Sequence, residues 1–301
     1  MTRPEQQAGV ADVDCSGLTA LVTGSTSGIG RETALTLGRL GADVIVHGRD
    51  RAAGRAVVDE LAAVGSNATF EPADFADVSA VESLAAAVDD QVDDLDILIN
   101  NAGGLFRKGR LTDIGVEYTF HVNHLAPYLL TAELLPTLAD DARVITTASA
   151  AHRGASLDLD AVESVADYSS FSAYQRSKLA NIQFTFELAR RLERTDRAIT
   201  ANAFHPGAIP GSGFTRFLPG PVSELVGLAG RLPFVPTPAD GAATAVYLAV
   251  SSRVDSVSGR YFADCEPTQP TAAARDRTAA SRLFGRSAEL LDIPVPLPAG
   301  D

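Results

Sequence analysis

From residue 18 to residue 263 the chain alternates short apolar runs with longer stretches of helical period. Residues 18–24 form a brief apolar run ending in glycine. Apolar positions then recur at helical spacing over 29–40 until Gly41, which predicts strand, turn and helix. The same alternation places strands at 42–46, 68–72, 95–100, 143–148, 198–204 and 259–263, with helices at 51–64 and 78–92 between the early ones. A long helix is predicted over 113–138, kinked at Pro127 because proline removes an intrahelical donor. Further helices follow over the run that ends near residue 194, over 239–250 and over 271–292. Alternating strands and helices require a parallel sheet covered on both faces. The fold predicted is therefore a single-domain α/β, doubly wound fold with a seven-stranded parallel sheet. Ligands of such sheets bind beyond the carboxyl ends of the strands.

The same pattern sets the boundaries. Residues 1–16 read as a polar N-terminal tail, 17–293 as one domain and 294–301 as a proline-rich tail. Within the domain, 208–238 is rich in glycine and proline and is expected to form a substrate lid, followed later by a C-terminal extension over 266–293. With 301 residues, 46% of them hydrophobic, the chain can bury a sizeable core. No apolar run approaches the roughly 18 residues that would span a bilayer, and the first 16 residues lack the apolar segment of a secretory signal. Cys15 and Cys265 are too few for a disulfide framework or a thiolate metal cluster. A reducing, cytoplasmic setting is expected. A net charge of −13 opposes a nucleic-acid partner. Of the 25 basic residues only Lys108 and Lys178 are lysines, which draws attention to Lys178.

Candidate chemistry begins at the first turn. Gly24-Ser25-Thr26-Ser27-Gly28-Ile29-Gly30 lies where the first strand hands over to the first helix. Glycines there permit a tight turn and let phosphate oxygens approach backbone N–H groups at the positive end of a helix dipole. The spacing G-x-x-x-G-x-G is a variant of the dinucleotide fingerprint G-x-G-x-x-G. At the end of the second strand an acid usually binds the ribose hydroxyls of NAD, whereas an arginine accommodates the 2′-phosphate of NADP. Here Gly48 stands in the acid's place and Arg49 follows, which favours NADP(H) with NAD(H) still admitted. Asp50 is either a helix cap or a ribose ligand. Asp74, after the third strand, is a candidate acceptor for the adenine amino group. Asn101, Ala102 and Gly103, after the fourth, offer small residues and amides beside a cofactor.

Tyr174 and Lys178 stand four residues apart in a helical run, so they share one face. An ammonium near a phenol favours phenolate, and such a pair can exchange a proton with a substrate oxygen. Ser149, after the fifth strand, can hydrogen-bond the same oxygen, and Asn123 is a polar residue amid the apolar positions of the long helix. Four histidines, His121, His124, His152 and His205, are the chain's candidate metal ligands, but their spacing is poor and no Glu or Cys cluster accompanies them. No metal is expected.

Taken in order, Thr23 to Gly30, Asn100 to Gly103, Asn123, Ser149, Tyr174 to Lys178 and Pro206-Gly207 resemble the short-chain dehydrogenase/reductase family, whose fold is of Rossmann type. Residues 177–182, 187–192, 205–207, 258–265 and 283–293 resemble its retinol-dehydrogenase and WW-domain-oxidoreductase branch. The resemblance implies an NADP(H)-dependent oxidoreductase that interconverts an alcohol and an aldehyde or ketone. It implies Tyr174 as general acid/base, Lys178 holding the nicotinamide ribose, Ser149 placing the substrate oxygen, Asn123 supporting a water linked to Lys178, and Pro206 and Gly207 beside the cofactor. It further implies a homodimer or homotetramer formed through the two long helices. Eukaryotic members of the branch often carry an amino-terminal membrane anchor, which is not expected here. The family's usual threonine after Pro-Gly is replaced by Gly211, with Ser212 and Thr215 nearby. Phe214, Phe217, Leu218, Leu225 and Leu228 either favour an apolar substrate or pack the loop or a partner subunit. The rival class is a sensor that binds NADP(H) without turnover.

Overall fold

The computed structural model of the chain describes residues 2–207 and 236–298. Residues 208–235 of the expected lid lie outside the described residues, including Gly211, Ser212, Phe214, Thr215, Phe217, Leu218, Leu225 and Leu228. The strands are β1 (Thr19–Val22), β2 (Asp43–Gly48), β3 (Ala68–Pro72), β4 (Leu95–Asn100), β5 (Leu138–Thr147), β6 (Thr200–Phe204), β7 (Tyr261–Ala263) and β8 (Glu266–Thr268). They form one sheet in the order β3-β2-β1-β4-β5-β6-β7-β8. The first seven pair in parallel. The order reverses between β1 and β4, and the carboxyl ends of those two strands make the crevice where such folds bind ligands.

The seven-strand expectation missed β8, which runs antiparallel to β7. The link is the two-residue turn Asp264-Cys265, and both residues have positive φ, 50° and 62°. Type I′ hairpin turns need that conformation and usually announce it with Asn-Gly. Asp-Cys gives no such signal.

Alternation along each strand divides the core between two faces. Leu21, Ile45, Leu98 and Val144 face the helices Val78–Asp89, Ala126–Leu134 and Ser170–Leu192. Ala20, Val22, Val44, Val46, Ile97, Ile99 and Ile145 face Gly28–Arg39, Arg51–Ala63 and Pro238–Val250. The helix predicted over 113–138 starts later and is built in pieces: Tyr118–Phe120, a π-helical turn at His121–Leu125, then Ala126–Leu134. Its start is fixed by Glu117, which is fully buried and accepts from the N–H groups of Thr119 and Phe120 at 2.6 and 3.1 Å. Residues 112–116 turn instead around Gly115, at φ 75°.

Residues expected to be a polar tail are tied to the domain. Pro4–Gln7 is helical, Glu5 receives a two-pronged bond from Arg39 at 3.1 and 2.9 Å, and Ala8, Val10 and Cys15 are buried. At the other end, the helix Arg277–Leu291, capped by Asp276, lies on Ser170–Leu192 and Ala126–Leu134. Phe284 stacks with Phe184 at 6.0 Å, Tyr128 donates to the Phe284 carbonyl at 2.9 Å, and His124 meets Ser287 at 2.9 Å. The C-terminal helix therefore covers a face of the two long helices to which the resemblance assigns dimerisation. Among the described residues no helix is long and apolar enough to cross a membrane.

Candidate active site

The glycine turn after β1 is built from below. Ser25 is fully buried, donates to the Val22 carbonyl at 2.7 Å and accepts the His47 N–H at 3.0 Å. Thr23 accepts the N–H groups of Asn101 and Ala102 at 2.9 and 3.0 Å, and the Asn101 amide returns to the Thr23 carbonyl at 2.8 Å. The β1 and β4 loops are thereby locked together. Gly24 has φ 66°, and a Cβ there would sit 2.8 Å from the Ala102 Cα. A Cβ on Gly30 would sit 2.4 Å from Asn101 Nδ2 and 2.5 Å from the Gly24 carbonyl oxygen. Gly28 also has positive φ but faces open space. The helices at Arg51–Ala63, Val78–Asp89 and Arg277–Leu291 are capped by the side chains of Asp50, Asp77 and Asp276. The helix Gly28–Arg39 is different: Ser27 makes no side-chain capping bond to it. Its first N–H groups suit an anion.

His47 is a member of this turn that sequence reasoning did not identify. Its Nδ1 accepts the Gly24 N–H at 3.1 Å, its Nε2 pairs with the Ala73 carbonyl at 3.3 Å, and its ring stacks on Phe75 at 4.5 Å. Burial pushes its pKa down to about 4, which keeps it the neutral acceptor this contact needs. No spacing rule points to it.

Beyond β2, Arg49 lies 3.7 Å from Asp74, both side chains about half exposed. Asp74 also accepts the Ala76 N–H at 3.1 Å. Asp50 accepts from the N–H groups of Ala52 and Ala53 at 3.0 Å, so its carboxylate is engaged as a helix cap. A Cβ on Gly48 would sit 2.5 Å from the Thr26 side chain, which explains a glycine where an acid is usual. Pro206 and Gly207 follow β6, with Gly207 at φ 80°.

The chemistry-bearing residues meet at the ends of β4 and β5. Asn123 is fully buried on the π-helical turn, where the Ala126 N–H reaches back to the His121 carbonyl. Pro127 has no N–H to give to the Asn123 carbonyl, and an extra residue in the turn accommodates that loss. The Asn123 side chain accepts the Gly104 N–H at 2.8 Å and donates to the Gly104 carbonyl and Ser177 Oγ, both at 2.9 Å. Ser177 in turn donates to the Tyr174 carbonyl at 2.8 Å. Ser177 thus ties the helix of Tyr174 to Asn123; it was visible only as the residue before Lys178.

Lys178 is buried and donates to the Thr147 carbonyl at 2.9 Å, with its Nζ 5.8 Å from the centre of the Tyr174 ring. The Ser149 hydroxyl lies beside the Tyr174 phenol. Burial holds the Tyr174 phenol above its ordinary value. The expected lowering by Lys178 does not appear: desolvation of the phenolate raises the pKa, and Ser149 is what opposes it.

Burial pushes Lys178 itself down to about 8 from its ordinary 10.5, leaving it charged at neutral pH. Between about pH 8 and 10.5 the unfolded chain holds a proton on this side chain that the folded chain has shed. Stability contributed at this position should therefore rise with pH across that window. Denaturant titrations of wild type and Lys178→Met should show the difference in unfolding free energy moving in favour of wild type above about pH 8. A pH-independent difference would contradict it.

The four histidines go separate ways. His121 meets Thr112 at 2.8 Å, His124 meets Ser287, His152 meets the Ser149 carbonyl at 2.6 Å, and His205 stacks on Tyr261 at 5.4 Å.

Residues 18–216 match the family model described as short chain dehydrogenase. Retinol dehydrogenase 14 of Mus musculus is 36% identical, the match covering 97% of this chain and 91% of that protein. Dehydrogenase/reductase SDR family member 13 of Bos taurus is 39% identical over 91% of this chain and 73% of its own. Among solved structures, an uncharacterized protein from Mycobacterium Paratuberculosis superposes with a TM-score of 0.76 at 31% identity, covering 94% of this chain and 97% of the other. A blue fluorescent protein from a metagenomic library, in complex with NADPH, gives 0.64 at 27% identity over 83% and 96%. The chain belongs to the short-chain dehydrogenase family and is an NAD(P)-dependent oxidoreductase acting on CH–OH groups.

Proposed function

We propose that this protein is an NADP(H)-preferring reductase and dehydrogenase of apolar aldehydes, ketones and alcohols, with Tyr174 as its proton donor and acceptor. The observation that carries the reading is the convergence of Lys178 on the Thr147 carbonyl and of Asn123 on Ser177 and the Tyr174 carbonyl at the ends of β4 and β5, with Ser149 beside the Tyr174 phenol. The residues present fit a dinucleotide. The helix Gly28–Arg39 opens without a side-chain cap, Gly24 and Gly30 leave no room for a side chain, and Arg49 offers a partly exposed guanidinium beyond β2. When bound, the nicotinamide supplies or accepts the hydride.

This chain's own part is proton handling and placement. Ser149 and Tyr174 together hold the substrate oxygen, and the Tyr174 hydroxyl gives it a proton in reduction and takes one in oxidation. Lys178, still charged at neutral pH, stabilises phenolate as it forms and holds the nicotinamide ribose. Asn123 fixes Gly104 and, through Ser177, the backbone of Tyr174. Retinoid-like substrates are the first to try, given the names of the relatives. Because the C-terminal helix lies over the two long helices, an assembly of identical subunits would use a different face.

A panel of aldehydes, retinoids, steroids and quinones, assayed with NADPH and NADH side by side, tests the reading; turnover with none of them would support a non-catalytic NADP(H)-binding protein instead. Arg49→Ala should raise the KM for NADPH at least about tenfold, equivalent to about 1.4 kcal/mol, with little change for NADH. An equal effect on both would remove Arg49 from 2′-phosphate recognition.

A further inference from the structure

We propose that His152 is a positioning residue for Ser149: its imidazole pins the backbone of the serine beside Tyr174 and fastens that loop to the C-terminal segment at Thr271. The inference rests on the site reading above and adds a residue to it. His152 is fully buried, three residues after Ser149. Its Nε2 accepts the Thr271 backbone N–H at 3.3 Å. A backbone N–H only donates, so Nε2 carries no proton and Nδ1 does. That Nδ1–H points at the Ser149 carbonyl, 2.6 Å away. The tautomer is therefore dictated by its neighbours, and each nitrogen has one fixed task.

The ring cannot swing away from either task. Tyr261 of β7 packs edge-on against it at 5.3 Å and 77°, with its hydroxyl 3.5 Å from Nδ1, and Tyr261 is itself backed by the His205 ring. The Ser149 carbonyl also accepts the His152 N–H at 3.2 Å. On the other side of the loop, Gln175 donates to the carbonyls of Ala151 and Arg153 at 3.1 and 3.3 Å. With the 149–150 peptide held this way, Ser149 stays extended, at φ −158° and ψ 150°. Its hydroxyl receives the Ala151 N–H at 3.1 Å beside the Tyr174 phenol. Releasing the carbonyl lets that peptide rotate and carries the hydroxyl away from Tyr174.

A double-mutant cycle on the protein without cofactor tests this. The readout is the titration midpoint of the Tyr174 phenol, taken from phenolate absorbance as the difference from Tyr174→Phe. Ser149→Ala should raise the midpoint, His152→Phe should raise it in the same direction, and the double variant should go no higher than Ser149→Ala alone. His152→Asn, which still offers an amide N–H toward the Ser149 carbonyl, should restore most of the wild-type value. Turnover of all-trans-retinal with NADPH should follow the same order, with a loss of about tenfold in kcat for His152→Phe and little change in the KM for NADPH. If Ser149→Ala shifts the midpoint and His152→Phe does not, or if the two shifts add, His152 does not act through Ser149 and the inference falls while the site reading stands. If Ser149→Ala itself shifts nothing, the Ser149–Tyr174 reading falls and takes the inference with it.

Discussion

Tyr174→Phe should lower reductase turnover by about 10²–10⁴-fold, the range expected when a placed proton donor is removed from the transition state. The change deletes one oxygen and keeps the ring, so the half-buried side chain still fills its place in the Ser170–Leu192 helix. Its neighbours stay anchored without it: Lys178 on the Thr147 carbonyl, Ser177 between Asn123 and the residue-174 carbonyl, and Ser149 on the Ala151 N–H. Folding stability should therefore move by about 1 kcal/mol at most, since burial already holds the phenol in its neutral form and one neutral hydroxyl contact contributes about that much. The signature is a collapse of kcat with a dinucleotide affinity close to wild type. Rates near wild type would displace Tyr174 from the centre of the mechanism.

Gly30→Ala should act on binding and folding together. A methyl group at this position must share space with Asn101 Nδ2 at 2.4 Å and the Gly24 carbonyl at 2.5 Å. Neither can yield freely. Asn101 Nδ2 is bonded to the Thr23 carbonyl at 2.8 Å, and the Gly24 N–H is held by His47. Overpacking of this kind costs about 1–3 kcal/mol, and the turn that deforms is the one proposed to approach the pyrophosphate. A loss of more than about tenfold in NADPH affinity, which is about 1.4 kcal/mol, is expected with a lowered denaturation midpoint. Gly285→Ala is the matched control. Gly285 lies within the helix Arg277–Leu291 and has nothing within 4 Å of an added Cβ, so alanine there should stabilise by about 0.5–1 kcal/mol. Unchanged NADPH binding in Gly30→Ala would take the glycine turn out of the cofactor site.

Most of the scaffold could be read from local pattern because local physics writes it. Apolar runs of four to six residues and helical periods between them locate the parallel strands and their crossovers, and Gly24, Gly28 and Gly30 mark a turn that needs glycine. The errors share a cause. The helix predicted from 113 begins at Tyr118 because the buried Glu117 carboxylate takes its first N–H groups. The strand β8 exists because Asp264 and Cys265 adopt positive φ without the usual turn residues. The first 16 residues read as polar, yet Glu5 is paired with Arg39 and apolar Val10 is buried. In each case a contact or a backbone conformation absent from composition decided the outcome.

The candidate site divides in the same way. Tyr174 and Lys178 could be named from their shared helix face and Ser149 from its place after a strand, while Asn123, on the π-helical turn, is marked by the family resemblance. His47, Ser177 and His152 could not. Each works by bonding a backbone group far along the chain or across a turn, such as the Gly24 N–H or the Thr271 N–H, and such partners leave no period in the sequence. By itself the sequence determined the alternation of elements, the glycine turn and the candidates proposed to move a proton, since these depend on neighbours within a few positions. Only the tertiary structure decided the direction of the Tyr174 pKa, the covering of the two long helices by Arg277–Leu291 and the clamps behind Ser149. Those depend on desolvation and on long-range hydrogen bonds that exist only once the chain has closed on itself.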